Sequence, residues 1–279
     1  MTEPVTDVSV IRIDQPHVRN AIDAATAQRL HDAFVAFDAD DDAHVAVLYG
    51  DERAFCAGAN LRSLPVLRDS GPLGPTRLRL SKPVIAAVEG WCVAGGLELA
   101  AWCDLRVAGD TARFGCLERR YGVPLVDGGT YRLPRIVGLG RALDLILTGR
   151  EFDAAEAHAI GLVNRVVPAG AALAAAVALA SQIAEHPWAC VLSDRASVYE
   201  GLGVPEAAAL ANEDRRGPRD DHARRLPRRH RPLLNPACPH IRTHEFGPWA
   251  HCNVLELGTH VYETADTPVH KCGHARGGG

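Results

Sequence analysis

The sequence predicts an α/β protein in which a mixed or parallel sheet is followed by a helical region. Two observations support this fold class. In the first half of the chain, short apolar runs typical of buried strands alternate with helical patterns, and after Gly129 the apolar periodicity is helical. The 279 residues, 47% of them hydrophobic and 23% charged, have the composition of a globular protein rather than a disordered or fibrous one. This length allows one large domain or two smaller ones.

The predicted elements of the first half alternate between strands and helices. Polar and apolar residues alternate over residues 8–13, which is typical of a strand, and residues 16–20 then form a loop. Asp23 is placed to cap a helix whose apolar positions recur at intervals of three and four. A second helix is predicted from Gly95 to about Trp102. Short apolar runs predict the remaining strands at residues 45–49, 83–88, 105–108 and 112–115.

The second half is predicted to consist mainly of helices. Helical patterns cover residues 141–147, 154–160 and 171–184, and a further helix begins at Pro187. Residues 64–79, with three prolines and two glycines, are the least regular stretch of the first 217 residues. We interpret this stretch as a surface loop in preference to a lid over a substrate.

Residues 218–279 differ in composition from the rest of the chain. They contain 9 lysines and arginines against 6 acidic residues, whereas residues 1–217 contain 21 against 28, so net charges of +3 and −7 add to the overall −4. The same segment holds 8 of the 13 histidines and 7 of the 18 prolines, which forbid a long helix. We therefore divide the chain into a core over residues 1–150, a helical region over 151–217 and an atypical tail over 218–279.

Three interpretations of this tail are open. It could be a zinc module, although its cysteines and histidines are irregularly spaced: Cys238, His240, His251, Cys252, Cys272 and His274. It could be a basic nucleic-acid-binding arm, although no aromatic residues are interleaved among Arg224, Arg225, Arg228, Arg229 and Arg231. The third and favoured interpretation is a poorly structured segment, and a shifted reading frame in a GC-rich gene is one hypothesis for its origin.

Composition also restricts the compartment and the partners. No run approaches the roughly 18 apolar residues of a membrane helix, and the first residues lack the basic and apolar regions of a signal peptide. We therefore expect a cytoplasmic protein without a membrane partner, in which the eight scattered cysteines are reduced. The overall charge of −4 does not favour nucleic acid as a partner.

A run of small residues over 54–61 is the first candidate for a binding site. It reads AFCAGANL, and it is expected to leave a buried strand and enter a helix. Small side chains allow a ligand to approach the main chain, and N–H groups at a helix N-terminus can bind an anion or an oxygen that acquires negative charge. Tight packing is the alternative explanation for this run.

A second run of small residues, over 89–99, adds a carboxylate. Gly95 is expected to begin a helix and Glu98 to lie one turn in. A glutamate in the first turn is commonly only a favourable partner of the helix dipole. Here its neighbours Leu97 and Leu99 are apolar, and a carboxylate that faces a core requires a functional reason.

Four segments resemble the enoyl-CoA hydratase/isomerase (crotonase) superfamily, in the order and spacing of that family. They read RNAID at 19–23, AFCAGANL at 54–61, SKPVIAAVEGWCVAGGLELAAWCDLRVA at 81–108 and GGTYRLPRIVGLGRALDLILTGR at 128–150. The resemblance extends from about residue 8 to residue 216. It implies a spiral of ββα units followed by a helical C-terminal region, a homotrimer or hexamer, and acyl-coenzyme A thioesters as substrates. It implies no metal or redox cofactor.

The resemblance also implies chemical roles for four residues. The two backbone amides of an oxyanion hole fall on Ala59 and Gly95, within the two runs of small residues. Glu98 and Glu118, 20 residues apart, match the two glutamates of hydratases, of which one holds and deprotonates water while the other manages the proton at C2. A solvated surface position beside two arginines is the alternative for Glu118.

Asp127 is a third acidic candidate for catalysis. Many relatives have Pro-Gly-x-Gly-Gly in this region, whereas this chain displaces the proline and replaces the glycine. A carboxylate near this place serves other reactions of the superfamily, including double-bond isomerisation. Asp127 could equally cap the helix that follows.

The coenzyme is expected to bind at the first run of small residues. The resemblance places its adenine and pantetheine along the backbone of Ala57, Gly58, Asn60 and Leu61. Arg19 and Arg62 are candidates for contacts with its phosphates, with a simple surface charge as the alternative for each. Cys56 and Cys92 flank the proposed oxyanion hole, and we interpret them as small core residues, since no nearby histidine marks a base for a cysteine nucleophile.

These observations predict a cytoplasmic enoyl-CoA hydratase, a lyase of fatty acid metabolism that converts a 2-enoyl-CoA to a 3-hydroxyacyl-CoA. One alternative is another reaction on acyl-CoA, either double-bond isomerisation or thioester hydrolysis, in which Asp127 takes part. Another is a non-catalytic protein that binds acyl-CoA or nucleic acid, because residues 218–279 lack the helical ending of the family.

Overall fold

The structure, a computed structural model, describes residues 7–216, and the three interpretations of residues 218–279 concern residues outside this part. Nine strands lie in the described residues: β1 (Val8–Arg12), β2 (Val45–Tyr49), β3 (Ala54–Cys56), β4 (Val84–Val88), β5 (Trp91–Val93), β6 (Leu105–Gly109), β7 (Arg113–Gly115), β8 (Glu151–Asp153) and β9 (Arg165–Val167). Eight α-helices accompany them: α1 (Ala24–Ala39), α2 (Gly95–Trp102), α3 (Gly129–Val137), α4 (Leu139–Thr148), α5 (Ala154–Ala159), α6 (Ala172–Ala184), α7 (Trp188–Gly201) and α8 (Glu206–Arg216).

The strands form two sheets that are almost entirely parallel. The larger sheet has the order β1-β2-β4-β6-β9, and all its neighbours are parallel. The smaller sheet has the order β3-β5-β7-β8, and only its last pair is antiparallel. The helices α3 to α8 dominate the second half of the described chain, so the predicted α/β class, with a parallel sheet followed by a helical region, is confirmed.

Helix α1 shows how the sequence specifies an element. The side chain of Asp23 accepts a hydrogen bond from the Thr26 N–H at 2.8 Å, which satisfies one of the free donors at the helix start. The apolar positions at intervals of three and four are all buried: Ala27, Leu30, Phe34 and Phe37. The cap and the core-facing stripe of this helix are therefore confirmed.

Burial on both faces explains the continuous apolar runs of the larger sheet. All five residues of β2 and all five of β4 are buried. One face of the sheet contributes to the main core, and the other packs against α6 through Ala176, Leu179 and Ala180. None of the helices in the described residues is long and apolar enough to span a membrane.

Two sequence-based expectations about the loops are wrong. Residues 57–61 do not enter a helix after β3, because Gly58 has a left-handed φ of +90° and Ile22 pairs with Ala59 in a parallel bridge that keeps the chain extended. The irregular stretch 64–79 is not a simple surface loop, since residues 71–76 are all buried. Strands β3, β5, β8 and β9 have three residues each, too few for a periodicity that predicts them singly.

Candidate active site

Glu98 lies in the first turn of α2, directly behind the small residues that link β5 to the helix. Gly96 is required there because a Cβ at this position would lie 2.1 Å from the carbonyl oxygen of Cys56. The Glu98 side chain is buried, and its Oε2 accepts hydrogen bonds from the main-chain N–H groups of Asp127 at 2.9 Å and Gly129 at 2.6 Å. These donors come from a segment 29 and 31 residues further on, so Glu98 does more than complement the dipole of its own helix.

Glu118 lies on a short 3-10 turn, Leu117–Tyr121, that follows β7. It is only 7% exposed, and neither of its carboxylate oxygens has a hydrogen-bond partner among the described residues. The adjacent arginines bind elsewhere: Arg119 donates to the carbonyl of Ile146, and Arg120 pairs with Glu151. The alternative of a solvated surface glutamate is therefore wrong, and a buried carboxylate with two free oxygens faces the interior.

Burial raises the pKa values of all three acidic groups, and repulsion by its acidic neighbours adds to the shift of Glu98. The pKa of Glu98 is raised to about 7, first because burial disfavours its charged form and further because the charges of Asp127 and Glu118 lie nearby. The N–H groups of Gly129 and Asp127 oppose this by stabilising the carboxylate. Burial also raises the pKa of Glu118 and the pKa of Asp127. The fold thus brings Asp127 and Glu118 close enough to Glu98 for their charges to raise its pKa.

Asp127 does not cap the helix that follows it. Helix α3 has Gly128 as its N-cap, without a side-chain hydrogen bond, so the capping alternative is wrong. Instead, Oδ1 of Asp127 accepts hydrogen bonds from the Leu73 N–H at 3.0 Å and from the Thr76 hydroxyl. Asp127 is 3% exposed, and its partners come from the buried part of the stretch 64–79.

The two runs of small residues lie side by side and present free main-chain donors. A Cβ on Gly58 would lie 2.9 Å from the Gly95 nitrogen, so the loop after β3 contacts the start of α2 directly. The bridge to Ile22 uses the Gly58 carbonyl and the Asn60 N–H, which leaves the Ala59 N–H unused. Within residues 7–216, neither the Ala59 N–H nor the Gly95 N–H has an acceptor, the latter because it opens a helix. Both residues are partly accessible to solvent.

The residues predicted to hold a coenzyme surround the same loop. The Ala57 N–H donates to the carbonyl of Arg19 at 3.1 Å, so the RNAID segment is in contact with the loop. Asn60 accepts a hydrogen bond from the Arg62 N–H through Oδ1 at 3.0 Å. Arg19, Arg62 and Leu61 are exposed, so the two guanidinium groups are available to a ligand. Gly58, in contrast, is buried at the turn.

Cys56 and Cys92 behave as core residues. Both are fully buried, and burial raises the pKa of Cys56 to about 12 and the pKa of Cys92 well above its ordinary value. Both thiols are therefore protonated at neutral pH. Among residues 7–216, no group of three His, Cys, Asp or Glu side chains is arranged to hold a metal ion.

The sequence did not indicate the residues that support these acidic groups. Leu73 and Thr76 lie in the irregular stretch, Gly129 donates to Glu98, and Arg132 donates to the carbonyl oxygens of Asp127 and Thr76. The sequence signal at Gly129 was only the glycine pair 128–129, and the structure shows why glycine is needed there: a Cβ on Gly129 would lie 2.9 Å from Glu98 Oε2. Only the fold brings the other three to the site.

Comparison with known proteins is consistent with this geometry. A family model described as "Enoyl-CoA hydratase/isomerase" matches residues 4–215. The crystal structure of an enoyl-CoA hydratase from Mycobacterium tuberculosis H37Rv superposes with a TM-score of 0.74 at 36% sequence identity, covering 78% of this chain and 88% of that one.

Two curated relatives carry more specific names. The chain is 36% identical over 192 residues to the mevalonyl-coenzyme A hydratase sidH of Aspergillus fumigatus, covering 66% of this chain and 71% of the relative. It is 35% identical over 213 residues to the 2,3-dehydroadipyl-CoA hydratase of Escherichia coli (strain K12), covering 74% and 84%. Both relatives are named as hydratases of coenzyme A thioesters.

Proposed function

Because the chain belongs to the enoyl-CoA hydratase/isomerase family, we propose that it is an enoyl-CoA hydratase, a lyase that adds water across the C2=C3 bond of a 2-enoyl-CoA to give a 3-hydroxyacyl-CoA. The observation that carries this proposal is the arrangement of two buried glutamates, Glu98 and Glu118, near a pair of main-chain N–H groups that have no acceptor in the described part of the chain. Hydration requires one group to take a proton from water, another to deliver a proton to C2, and donors for the charge that develops on the thioester oxygen.

Ala59 and Gly95 form the oxyanion hole in this proposal. When the oxygen of water bonds to C3, the π electrons of the C2=C3 bond move toward C1 and the thioester oxygen becomes an enolate oxygen. Two N–H groups fixed beforehand bind this oxygen more strongly than they bind the neutral carbonyl. One such donor typically contributes about 3 kcal/mol to the transition state.

Glu98 acts as the base and Glu118 as the acid. Two N–H groups orient Glu98, and its pKa of about 7 allows a substantial ionised fraction at neutral pH together with useful basicity. Glu98 takes one proton of the water while the remaining hydroxyl bonds to C3. Glu118, whose two oxygens have no hydrogen-bond partner among the described residues, starts the cycle protonated and gives its proton to C2 as the enolate collapses. Transfer of a proton from Glu98 to Glu118 through solvent completes the cycle.

The loop after β3 binds the coenzyme portion of the substrate. Backbone groups of Ala57, Gly58, Asn60 and Leu61 contact adenine and pantetheine, and the exposed guanidinium groups of Arg19 and Arg62 pair with phosphates. Coenzyme A is part of the substrate, and no further cofactor takes part.

We also propose that the protein acts as a cytoplasmic homotrimer or hexamer. The exposed face of α4 supports an assembly of copies, since Leu139, Leu143 and Leu147 lie four residues apart and are 66%, 43% and 69% exposed. Light scattering coupled to size-exclusion chromatography measures the number of copies, and a monomer would contradict this part of the proposal.

Replacing either glutamate tests the reaction directly. We expect Glu98→Gln and Glu118→Gln each to lower kcat for hydration of crotonyl-CoA by about 10²-fold or more, because each removes a group that transfers a proton. Glu89→Gln is the matched control. Glu89 is equally buried and also accepts a main-chain N–H, that of Ala172 at 2.9 Å, but it follows β4 and its carboxylate binds the start of α6.

Product analysis completes this test. Hydration yields 3-hydroxybutyryl-CoA, whereas isomerisation yields a shifted double bond from a suitable substrate and hydrolysis releases free coenzyme A. Turnover that is unaffected in Glu98→Gln or in Glu118→Gln removes that residue from the mechanism. Binding of crotonyl-CoA without any turnover by the wild type would contradict the enzymatic proposal and favour a binding protein.

A further inference from the structure

Asp127 contacts two different parts of the proposed active site. Its Oδ1 accepts hydrogen bonds from the Leu73 N–H at 3.0 Å and from the Thr76 hydroxyl, and both partners are buried. Its own main-chain N–H donates to Oε2 of Glu98 at 2.9 Å. One residue therefore connects the segment 71–76 to the proposed base.

The segment 71–76 depends on such contacts for its conformation. It contains no helix or strand, and Gly71 and Gly74 have left-handed φ angles of +99° and +104°. A Cβ at Gly71 would lie 2.0 Å from the Thr76 hydroxyl oxygen, and at Gly74 it would lie 2.4 Å from the carbonyl oxygen of Ala27. The segment is tightly bent, and without a backbone ladder of its own it is held by a few specific partners.

Leu73 packs against Gly95, which provides one of the two proposed oxyanion donors. It is 1% exposed, and its Cδ1 would lie 2.6 Å from a Cβ on Gly95, so the leucine packs directly over the glycine whose N–H opens α2. A displacement of Leu73 would change the environment of the Gly95 N–H, and would open the space beside it to water.

Arg132 holds the main chain at Asp127 and at Thr76, the two ends of the contact between Asp127 and the segment 71–76. Its guanidinium donates to the carbonyl oxygens of Asp127 at 2.8 Å and Thr76 at 2.5 Å. Arg77 donates to the carbonyl of Val126 at 2.8 Å. The main chain around Asp127 is thus held in place, so its carboxylate is aimed at the segment 71–76.

We propose that Asp127 is a positioning residue, whose carboxylate holds the segment 71–76 with Leu73 over Gly95 while its N–H orients Glu98. This inference rests on the proposed hydration at that site, and it assigns Asp127 no proton transfer. Its Oδ1 already accepts two hydrogen bonds from the protein, which suits a structural anchor of the site better than an acid or base that must approach C2 or C3 of the substrate.

Three substitutions distinguish anchoring from proton transfer. Asp127→Ala removes both hydrogen bonds to the segment, and we expect kcat to fall about 100-fold, as small displacements of catalytic groups do. Asp127→Asn keeps an oxygen that can accept from Leu73 and Thr76, and kcat is expected to stay within about tenfold of the wild type. Thr76→Val removes one donor without a change of shape and gives an intermediate loss.

Coupling between the substitutions provides a further measurement. If Asp127 acts through the segment, the losses in kcat of Asp127→Ala and Thr76→Val are less than multiplicative in the double variant, because they disrupt one interaction. Asp153→Ala is the control: it removes a helix cap at the Glu156 N–H, outside the site, and leaves kcat unchanged.

Hydrogen exchange tests the anchoring role of Asp127 independently of whether the protein hydrates crotonyl-CoA. Exchange of the amides of residues 71–76, measured by mass spectrometry, is expected to accelerate in Asp127→Ala and to remain near the wild type in Asp127→Asn. Unchanged exchange in Asp127→Ala overturns the anchoring role, whether or not the wild type hydrates crotonyl-CoA. A loss of kcat in Asp127→Asn as large as in Asp127→Ala, with normal exchange, identifies a proton-transferring group instead.

Discussion

At the scale of single residues, the site depends on carboxylates kept away from water. Glu98 is 2% exposed, yet two N–H groups stabilise its charge, and these opposing influences place its pKa near 7. The titratable and charged groups that face it are Asp127, Glu118, Cys116 and Arg132. A pKa in this range is suited to general-base catalysis at neutral pH.

The pH dependence of hydration follows from this environment. We expect kcat/KM to rise with pH up to about 7, because Glu98 must be ionised to take a proton from water and becomes so as the pH passes its pKa. The measurement is the initial rate of crotonyl-CoA hydration from pH 5 to 9 at low substrate concentration. An acid limb near the ordinary carboxylate pKa of 4.5 would contradict the role of Glu98 as the base.

Burial of Glu98 should also cost the protein stability at neutral and higher pH. A carboxyl whose folded-state pKa of about 7 exceeds its ordinary pKa of 4.5 binds its proton more tightly when folded, so stability is lost as the pH rises through this range. The difference corresponds to about 3 kcal/mol. We expect Glu98→Gln to raise the free energy of unfolding in urea at pH 8 by up to this amount, and to have little effect at pH 4. An equal effect at both pH values would show that ionisation is not the cause.

The acidic residues of the site could be predicted from the sequence, but the residues that hold them in place could not. Glu98 and Glu118 stood out because of their apolar or family-like surroundings, and the structure buries both. Leu73 and Thr76 did not stand out, because they meet Asp127 over separations of 54 and 51 residues from a stretch without periodicity. Contacts of this kind depend on the path of the chain and leave no local pattern.

At the scale of secondary structure, long and periodic elements were predictable, whereas of the three-residue strands only β7 was predicted. The cap and buried stripe of α1 and the apolar runs of β2 and β4 follow from local chemistry. The run of small residues after β3 was expected to enter a helix. A tertiary contact decides otherwise, since Ile22 pairs with Ala59 and holds the backbone extended.

The start of α3 contains a glycine whose role can be tested by adding one methyl group. Gly129→Ala would place its Cβ 2.9 Å from both Cγ and Oε2 of Glu98, so the glutamate must move away from its N–H donors. We expect kcat to fall about 100-fold, with KM changed much less. Steady-state kinetics with crotonyl-CoA measures this split.

Gly140→Ala in α4 is the matched control for that substitution. No atom lies within 4 Å of the position of its Cβ, and the residue lies in a helix. Replacing glycine by alanine in a helix should stabilise the protein by about 0.5 to 1 kcal/mol without an effect on kcat. If Gly129→Ala behaved like Gly140→Ala, the close contact with Glu98 would have no functional consequence.

At the scale of the whole molecule, the candidate site is assembled from four separate parts of the chain. These are the loop after β3, the segment 71–76, the start of α2, and residues 118–129, and the two largely parallel sheets bring them together. The fold class was predictable because alternating strands and helices favour parallel sheets. The convergence of three of these parts followed from the family resemblance, which covers Ala59, Gly95, Glu98 and Glu118, whereas the segment 71–76 was not expected at the site.

Helices α7 and α8 form a hairpin that contributes no fully buried residue. Polar contacts fasten α7 to the body of the protein. Asp104 accepts hydrogen bonds from Arg195 Nε at 2.9 Å and from the Tyr199 hydroxyl at 2.6 Å, and its other oxygen accepts from the Val84 N–H at 2.7 Å. Arg195 also donates to the carbonyl of Leu80 at 2.7 Å. The attachment of α7 therefore depends on Asp104, together with the packing of Trp188 against the apolar core.

Removing one partner of Asp104 should loosen this attachment. Arg195→Ala deletes a charged hydrogen bond to a carboxylate that is only 16% exposed, and we expect the free energy of unfolding to fall by about 2 kcal/mol. Tyr199→Phe removes the second donor and should give a smaller loss of about 1 kcal/mol. Because both donors bind the same oxygen, the effects in the double variant should not add. Val198→Ala, at a residue 66% exposed on the same helix, should stay within about 0.5 kcal/mol of the wild type. Urea unfolding measures all four variants, and additive losses would show that Arg195 and Tyr199 act independently of a shared contact with Asp104.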